Sequence, residues 1–167
     1  MALPSSSSFA YEFTYDVFLS FKGSDTCHGF TGNLYKALHD SGIRTFIDDD
    51  ELQKGEEITP ALEEAIKQSR IAIVVLSKDY ASSSFCLDEL SNIIDCVKAK
   101  GRLVWPVFYD VDPSHVRKQE GTYGEAMVMH EKRFMDNMDR LQKWKTALKQ
   151  VANLSGWHFK LVFAMVP

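Results

Sequence analysis

The chain has 167 residues, 45% of them hydrophobic, enough for one domain with a single core and too few for two comfortable ones. A formal net charge of −4 offers no general attraction to the phosphate backbone of nucleic acid or to an anionic membrane, so nucleic acid is disfavoured as a partner. The three cysteines, Cys27, Cys86 and Cys96, form no CxxC pair and suit buried or free thiols in a reducing compartment, not a disulfide scaffold.

Residues 1–14 have neither the basic region nor the apolar run of an export signal and read as a flexible lead-in; no stretch approaches the roughly 20 apolar residues of a membrane span. Residues 15–20 are a compact apolar run of strand length, followed by residues 21–26 of loop composition. Phe30, Leu34, Ala37 and Leu38 recur at helical spacing, and Ser41-Gly42 stops that helix. Residues 44–47 form a short strand, and residues 48–57 an acidic loop too polar for a core. Thr59 caps the next helix, Pro60 takes its first position, and Leu62, Ala65 and Ile66 face inward. Residues 71–76 are apolar on both faces, as a central parallel strand requires. The following helix carries the stripe Leu87, Leu90, Ile94, Val97 and ends at Gly101.

A fourth strand spans residues 103–109, where Pro106 removes one ladder donor and hints at an edge or a bulge. Residues 110–114 have turn chemistry, residues 121–138 a weak helical pattern, and Leu141, Trp144, Leu148 and Val151 a clear one that Gly156 ends. A fifth strand is placed near residues 157–162, and residues 160–167 form a tail or the start of a linker after a domain spanning 15–159. Strands alternating with helices over this length require right-handed crossovers. The fold class is therefore α/β, a flavodoxin-like three-layer sandwich with a central parallel sheet of about five strands and helices on both faces.

In an open sheet of this kind ligands bind outside the carboxyl ends of the strands. The serine-rich stretch 82–90, which follows the third strand and turns into a helix, is the candidate site. A helix starting at Ser84 or Phe85 places Glu89 one turn above Phe85, on the same face. Asp88 and Glu89 also read as first-turn acids favoured by the helix dipole. The loop 21–27, with Gly23 permitting close backbone approach, could cradle a phosphate; it lacks G-x-x-x-x-G-K-[ST] and G-x-G-x-x-G, and on pattern alone it reads as an ordinary connection first. The acidic run 48–50 is a solvated loop or a flap over a ligand. The five histidines show no metal spacing with each other or with the cysteines, so no metal is assigned. No G-x-S-x-G elbow supports a serine triad, and Asp16 begins its strand, where a phospho-accepting receiver would place acids at the strand's end. Cys86 is either a thiol activated near a helix start or a small buried hydrophobe.

Taken together, the runs YDVFLSFKGSDT (15–26), GIRTFIDD (42–49), SFCLDEL (84–90) and PVFYDVDPSHVR (106–117) resemble a plant Toll/interleukin receptor (TIR) domain of intracellular immune receptors, over residues 15–157. The resemblance implies self-association as the activating event in plant defence signalling. It also implies hydrolysis of NAD⁺ to nicotinamide and ADP-ribose, linear or cyclic, by a glutamate matching Glu89. NAD⁺ is then the substrate and no cofactor is needed. Phe21, Lys22, Gly23, Ser24, Asp25 and Thr26 would bind it, the phosphates lying on the loop from Lys22 to Thr26, with Asp48 on the acidic loop and Phe85 against a ring. Other TIR domains are the implied partners, without a membrane, in the cytoplasm or alternatively the nucleus. The chain departs from the family where Gly23-Ser24-Asp25-Thr26-Cys27 replaces Gly-Glu-Asp-Thr-Arg, where Gly32-Asn33 replaces Ser-His, and where Phe85 replaces a tryptophan. A non-catalytic module that only docks other TIR domains is the second reading.

Overall fold

The computed structural model describes residues 13–23, 29–47, 58–154 and 156–159. Among these residues five parallel strands form one sheet in the order β2-β1-β3-β4-β5: β1 Tyr15–Ser20, β2 Thr45–Ile47, β3 Ser69–Leu76, β4 Leu103–Tyr109 and β5 Trp157–Phe159. The chain moves outward from β1 to β2, then crosses back to β3 and continues the other way. The reversal lies between β1 and β3, the point at which an open α/β sheet leaves a crevice at its carboxyl edge. Ser20 ends β1 at that crevice and Ser77 follows β3 there.

The helices follow from local signals. In α1 (Phe30–Asp40) the apolar positions face the sheet, and the chain leaves through Ser41 and Gly42, the latter at φ +76°. In α2 (Pro60–Lys67) the Thr59 hydroxyl accepts a hydrogen bond from the Leu62 amide at 3.3 Å, and Leu62, Ala65 and Ile66 are buried, all as the sequence required. In α3 (Ser84–Lys100) Ser83 caps the start by accepting from the Cys86 amide at 3.1 Å, and Gly101 ends it in the left-handed region at φ +65°.

The segment after β4 is more structured than its composition suggests. Residues 110–114 do not merely turn: Asp112 Oδ1 accepts from the Ser114 amide at 2.8 Å and Pro113 opens the short α4 (Pro113–Lys118). The left-handed Gln119 (φ +51°) and Gly121 (φ +58°) redirect the chain into α5 (Gly121–Arg133). A methyl at Gly124 would stand 2.6 Å from the Gln119 carbonyl oxygen, so that crossing needs glycine. The weak pattern over 121–138 has a physical reason. The buried residues of α5 are Tyr123, Ala126, Met127 and His130, two of which carry polar atoms that meet backbone carbonyls. The helix stops at Arg133, and α6 (Met138–Ala152) carries the expected Leu141, Trp144, Leu148 and Val151 stripe, ending four residues before Gly156.

Side chains alternate between the two sheet faces. Phe18, Ala72, Val74, Leu76, Val104 and Phe108 meet α2, α3, α5 and α6 in the larger core, whereas Val17, Leu19, Ile73, Val75 and Val107 meet α1. Pro106 is not on an edge strand, since β4 lies between β3 and β5. β5, however, pairs only with Val107 to Tyr109, so the missing donor falls just before that pairing begins. Gly156 lies against Pro106 so closely that a methyl there would be 2.2 Å from its carbonyl oxygen. No helix among the described residues is long and apolar enough to cross a membrane.

Candidate active site

The turn between β3 and α3 is built as a rigid shelf at the carboxyl edge of the sheet. Buried backbone carbonyls need partners, and here side chains supply them. Tyr123 Oη donates to the Ser77 carbonyl at 2.7 Å, and His130 Nε2 lies 2.8 Å from the Ala81 carbonyl, which fixes that nitrogen as the donor. Ser82 Oγ bonds the Asp79 carbonyl at 2.6 Å. Both Tyr123 and His130 come from α5, so the helix with the faint sequence signature holds this shelf from behind.

Tyr80 reaches across the shelf from a single 3₁₀ turn, Tyr80–Ser82. Its hydroxyl lies 2.8 Å from Ser20 Oγ and 3.1 Å from the Cys86 carbonyl. A phenol has one proton; with that proton given to Cys86, the Ser20 hydroxyl donates to Tyr80. The network ties the carboxyl end of β1 to the first turn of α3, and both Ser20 and Tyr80 are fully buried. Cys86 Sγ lies 3.7 Å from the Phe21 carbonyl and draws the first residues after β1 against the same turn.

Glu89 sits on the next turn of α3 and is 3% exposed, a burial that carboxylates rarely reach without partners. Burial above all, then the nearby Cys86 and the charge of Glu89, hold the Tyr80 hydroxyl well above its ordinary value near 10. The Glu89 carboxyl group therefore lies within electrostatic reach of the Tyr80 hydroxyl. Phe85, one turn before Glu89, is half-buried against the larger core.

Asp88 does something different. Its Oδ2 accepts from Arg140 Nη2 at 2.6 Å, while Oδ1 accepts from Arg140 Nε at 3.1 Å and from Trp144 Nε1 at 2.8 Å. Arg140 is stacked 4.8 Å above both the Phe134 and Trp144 rings. This acid fastens α3 to α6. Neither acid lies in the first turn of α3, so the helix dipole does not account for them.

Of the other residues expected at the site, Phe21 is half-buried and packs on the α1 side of the sheet, Lys22 is half-buried, and Gly23 is buried. Ser24, Asp25, Thr26 and Asp48 lie outside the described residues, as does Cys27. Cys86 is buried with its sulfur against a carbonyl, in keeping with a small core residue. Among the described residues no group of three or more His, Cys, Asp or Glu side chains converges as a metal site would require. Sequence reasoning did not single out Ser20, Tyr80, Tyr123 or His130. The available signal was positional: Ser20 closes a strand at the crevice, and Tyr80 is an aromatic in the turn that leads into α3.

Comparison with known proteins fits this architecture. A model of the TIR domain family matches residues 14–163. The chain is 55% identical over 145 residues to disease resistance protein RPV1 of Vitis rotundifolia and 47% identical over 151 residues to TMV resistance protein N of Nicotiana glutinosa. Those matches cover 87% and 90% of this chain but 10% and 13% of the relatives, so the chain spans about a tenth of the length of the curated relatives it matches. Among solved structures, the TIR domains of the activated Roq1 resistosome, which directly recognizes the pathogen effector XopQ, align with a TM-score of 0.81 at 49% identity, covering 87% of each chain. The chain belongs to the TIR domain family, in the branch found in plant disease resistance proteins.

Proposed function

We propose that this domain cleaves NAD⁺ at the nicotinamide–ribose bond, with Glu89 as its catalytic carboxylate, and that association with other TIR domains switches it on in plant immune signalling. The observation that supports this reading most is the 3% exposure of Glu89 on the helix that follows β3, one of the two strands between which the sheet reverses direction.

The chemistry asks little more of the protein. The bond from ribose C1′ to the pyridinium nitrogen breaks, its electron pair goes to the ring, and a cationic substituent leaves as neutral nicotinamide. No general acid is then needed, in contrast to the two carboxylates of ordinary glycosidases. A buried carboxylate stabilises the oxocarbenium-like ribose more strongly than one in water. Water then adds to C1′ and releases a proton, giving ADP-ribose; attack by an internal nucleophile gives a cyclic product. In this reading the loop from Lys22 to Thr26 takes the phosphates and Phe85 packs on a ring.

Self-association is proposed from the Roq1 relative, whose TIR domains belong to an activated resistosome. The non-catalytic docking reading has its own support in the exposed Val128, Met129, Met135 and Met138 around the α5–α6 elbow, apolar side chains suited to contact with another protein. Nicotinamide released from NAD⁺ by the purified domain, followed chromatographically over a rising protein concentration, separates the two. The rate per domain should increase with concentration. Assembled, folded protein that releases none leaves the docking reading.

A further inference from the structure

The amino end of the sheet, opposite Glu89, carries a concentration of positive charge that the rest of the molecule does not explain. A groove of about 900 Å³ opens there between the ends of α2 and α3, and Lys67, Arg70, Lys100 and Arg102 line it, with Glu64 as its one carboxylate. Glu64 itself accepts from Gln68 at 2.9 Å. On a chain of net charge −4 this is a marked local excess. Among the described residues Lys67, Arg70 and Lys100 make no ion pair, whereas Lys36, Arg44, Arg140 and Lys145 each pair with a carboxylate.

Two of the four cations have an ordinary explanation. Lys67 and Lys100 are the last residues of α2 and α3 and offset the negative ends of those helices. Arg70 and Arg102 lie on β3 and just before β4, where no helix dipole asks for them. Their guanidinium carbons stand 5.2 and 4.1 Å from the centre of the Phe13 ring, and Arg102 also donates to the Ser69 carbonyl at 2.9 Å. The ring holds two planar guanidinium groups at the groove, the arrangement suited to bidentate contact with phosphate oxygens.

We propose that this groove binds an anion carrying two or more phosphate groups, at a site separate from Glu89 and independent of whether the domain cleaves NAD⁺. Four cations in one groove match a compact polyphosphate in charge. They make too short a track for a duplex, whose many phosphates would also meet the acidic remainder of the surface. Inositol phosphates, pyrophosphate esters and the headgroups of phosphoinositides share this chemistry.

The test uses titration calorimetry with inorganic pyrophosphate on the whole chain and on Lys67→Gln/Arg70→Gln, two exposed side chains whose loss leaves the core intact. A control, Lys132→Gln/Lys149→Gln, removes the same charge from α5 and α6. Binding that weakens at least tenfold in the first variant and less than twofold in the control is the expected result. Vesicles of phosphatidylcholine with 5% phosphatidylinositol bisphosphate identify the source: sedimentation with them, competed by pyrophosphate, places the ligand on a lipid, and pyrophosphate binding without sedimentation places it in solution. Absence of pyrophosphate binding, or equal losses in both variants, overturns the proposal. So does a short RNA duplex that binds through Lys67 and Arg70 and is not displaced by pyrophosphate.

Discussion

Asp88 and Glu89 are neighbours in sequence with opposite assignments, and the division can be tested through stability. Replacing Asp88 with alanine removes both acceptor atoms from Arg140 and the partner of Trp144 Nε1 at once. Asp88 and Arg140 are 14% and 15% exposed, so the guanidinium that loses this carboxylate regains little water. Breaking such a pair from one side costs about 3–5 kcal/mol, and the unsatisfied indole N–H falls within that figure. For a chain of this size each kcal/mol lowers the midpoint by roughly 2–4 °C, so Asp88→Ala should melt about 6–20 °C below the wild type. Asp88→Asn keeps an oxygen for Trp144 and should lose about half as much. Urea unfolding followed by Trp fluorescence and by far-UV circular dichroism gives the free energies. The double variant Asp88→Ala/Arg140→Ala should be less destabilised than the two single losses summed, because both single changes break the same pair. An Asp88→Ala protein within 1 kcal/mol of the wild type would refute this role.

Gly156→Ala should cost about 1–3 kcal/mol and loosen β5, since its methyl would fall 2.2 Å from the Pro106 carbonyl oxygen; hydrogen exchange at β5 reads the local effect. Thr59→Ala removes the α2 cap and should cost about 1 kcal/mol by the same urea assay. At acid pH, Asp16 makes a distinct contribution: hydrogen bonds from the Arg44 side chain and then its amide lower its carboxyl from the ordinary 3.8. A lowered folded value means stability present above about pH 4 and lost as pH falls through that lower value. The stability gap between wild type and Arg44→Ala should therefore close below pH 4. At alkaline pH the raised Tyr80 hydroxyl works in the other sense: the unfolded chain ionises first, so stability falls as pH rises above 10, and Tyr80→Phe should flatten that fall.

The sheet and most helices were legible because their signals are local. Thr59-Pro60 and Gly101 mark their helix ends by capping chemistry alone, and the apolar run of β3 states its central place. The helix α5 was only faintly legible for a physical reason: it buries Tyr123 and His130 to satisfy the Ser77 and Ala81 carbonyls, a task that leaves no apolar period. The distinction between Asp88 and Glu89 was hidden as well, since it rests on Arg140 and Trp144, more than fifty residues downstream. Phe85 and Glu89 on one face of α3 followed from spacing; the burial of Glu89 did not, because it depends on how α3 is packed in the folded chain.

The most direct test of the catalytic assignment is the rate of nicotinamide release by Glu89→Gln beside Asp88→Asn, both at a temperature where circular dichroism shows them folded. Glu89→Gln should lose at least about 100-fold in kcat with its melting temperature preserved, and Asp88→Asn should melt earlier while its folded fraction turns over within a few fold of the wild type. An active Glu89→Gln protein would contradict the assignment of the reaction to that carboxylate.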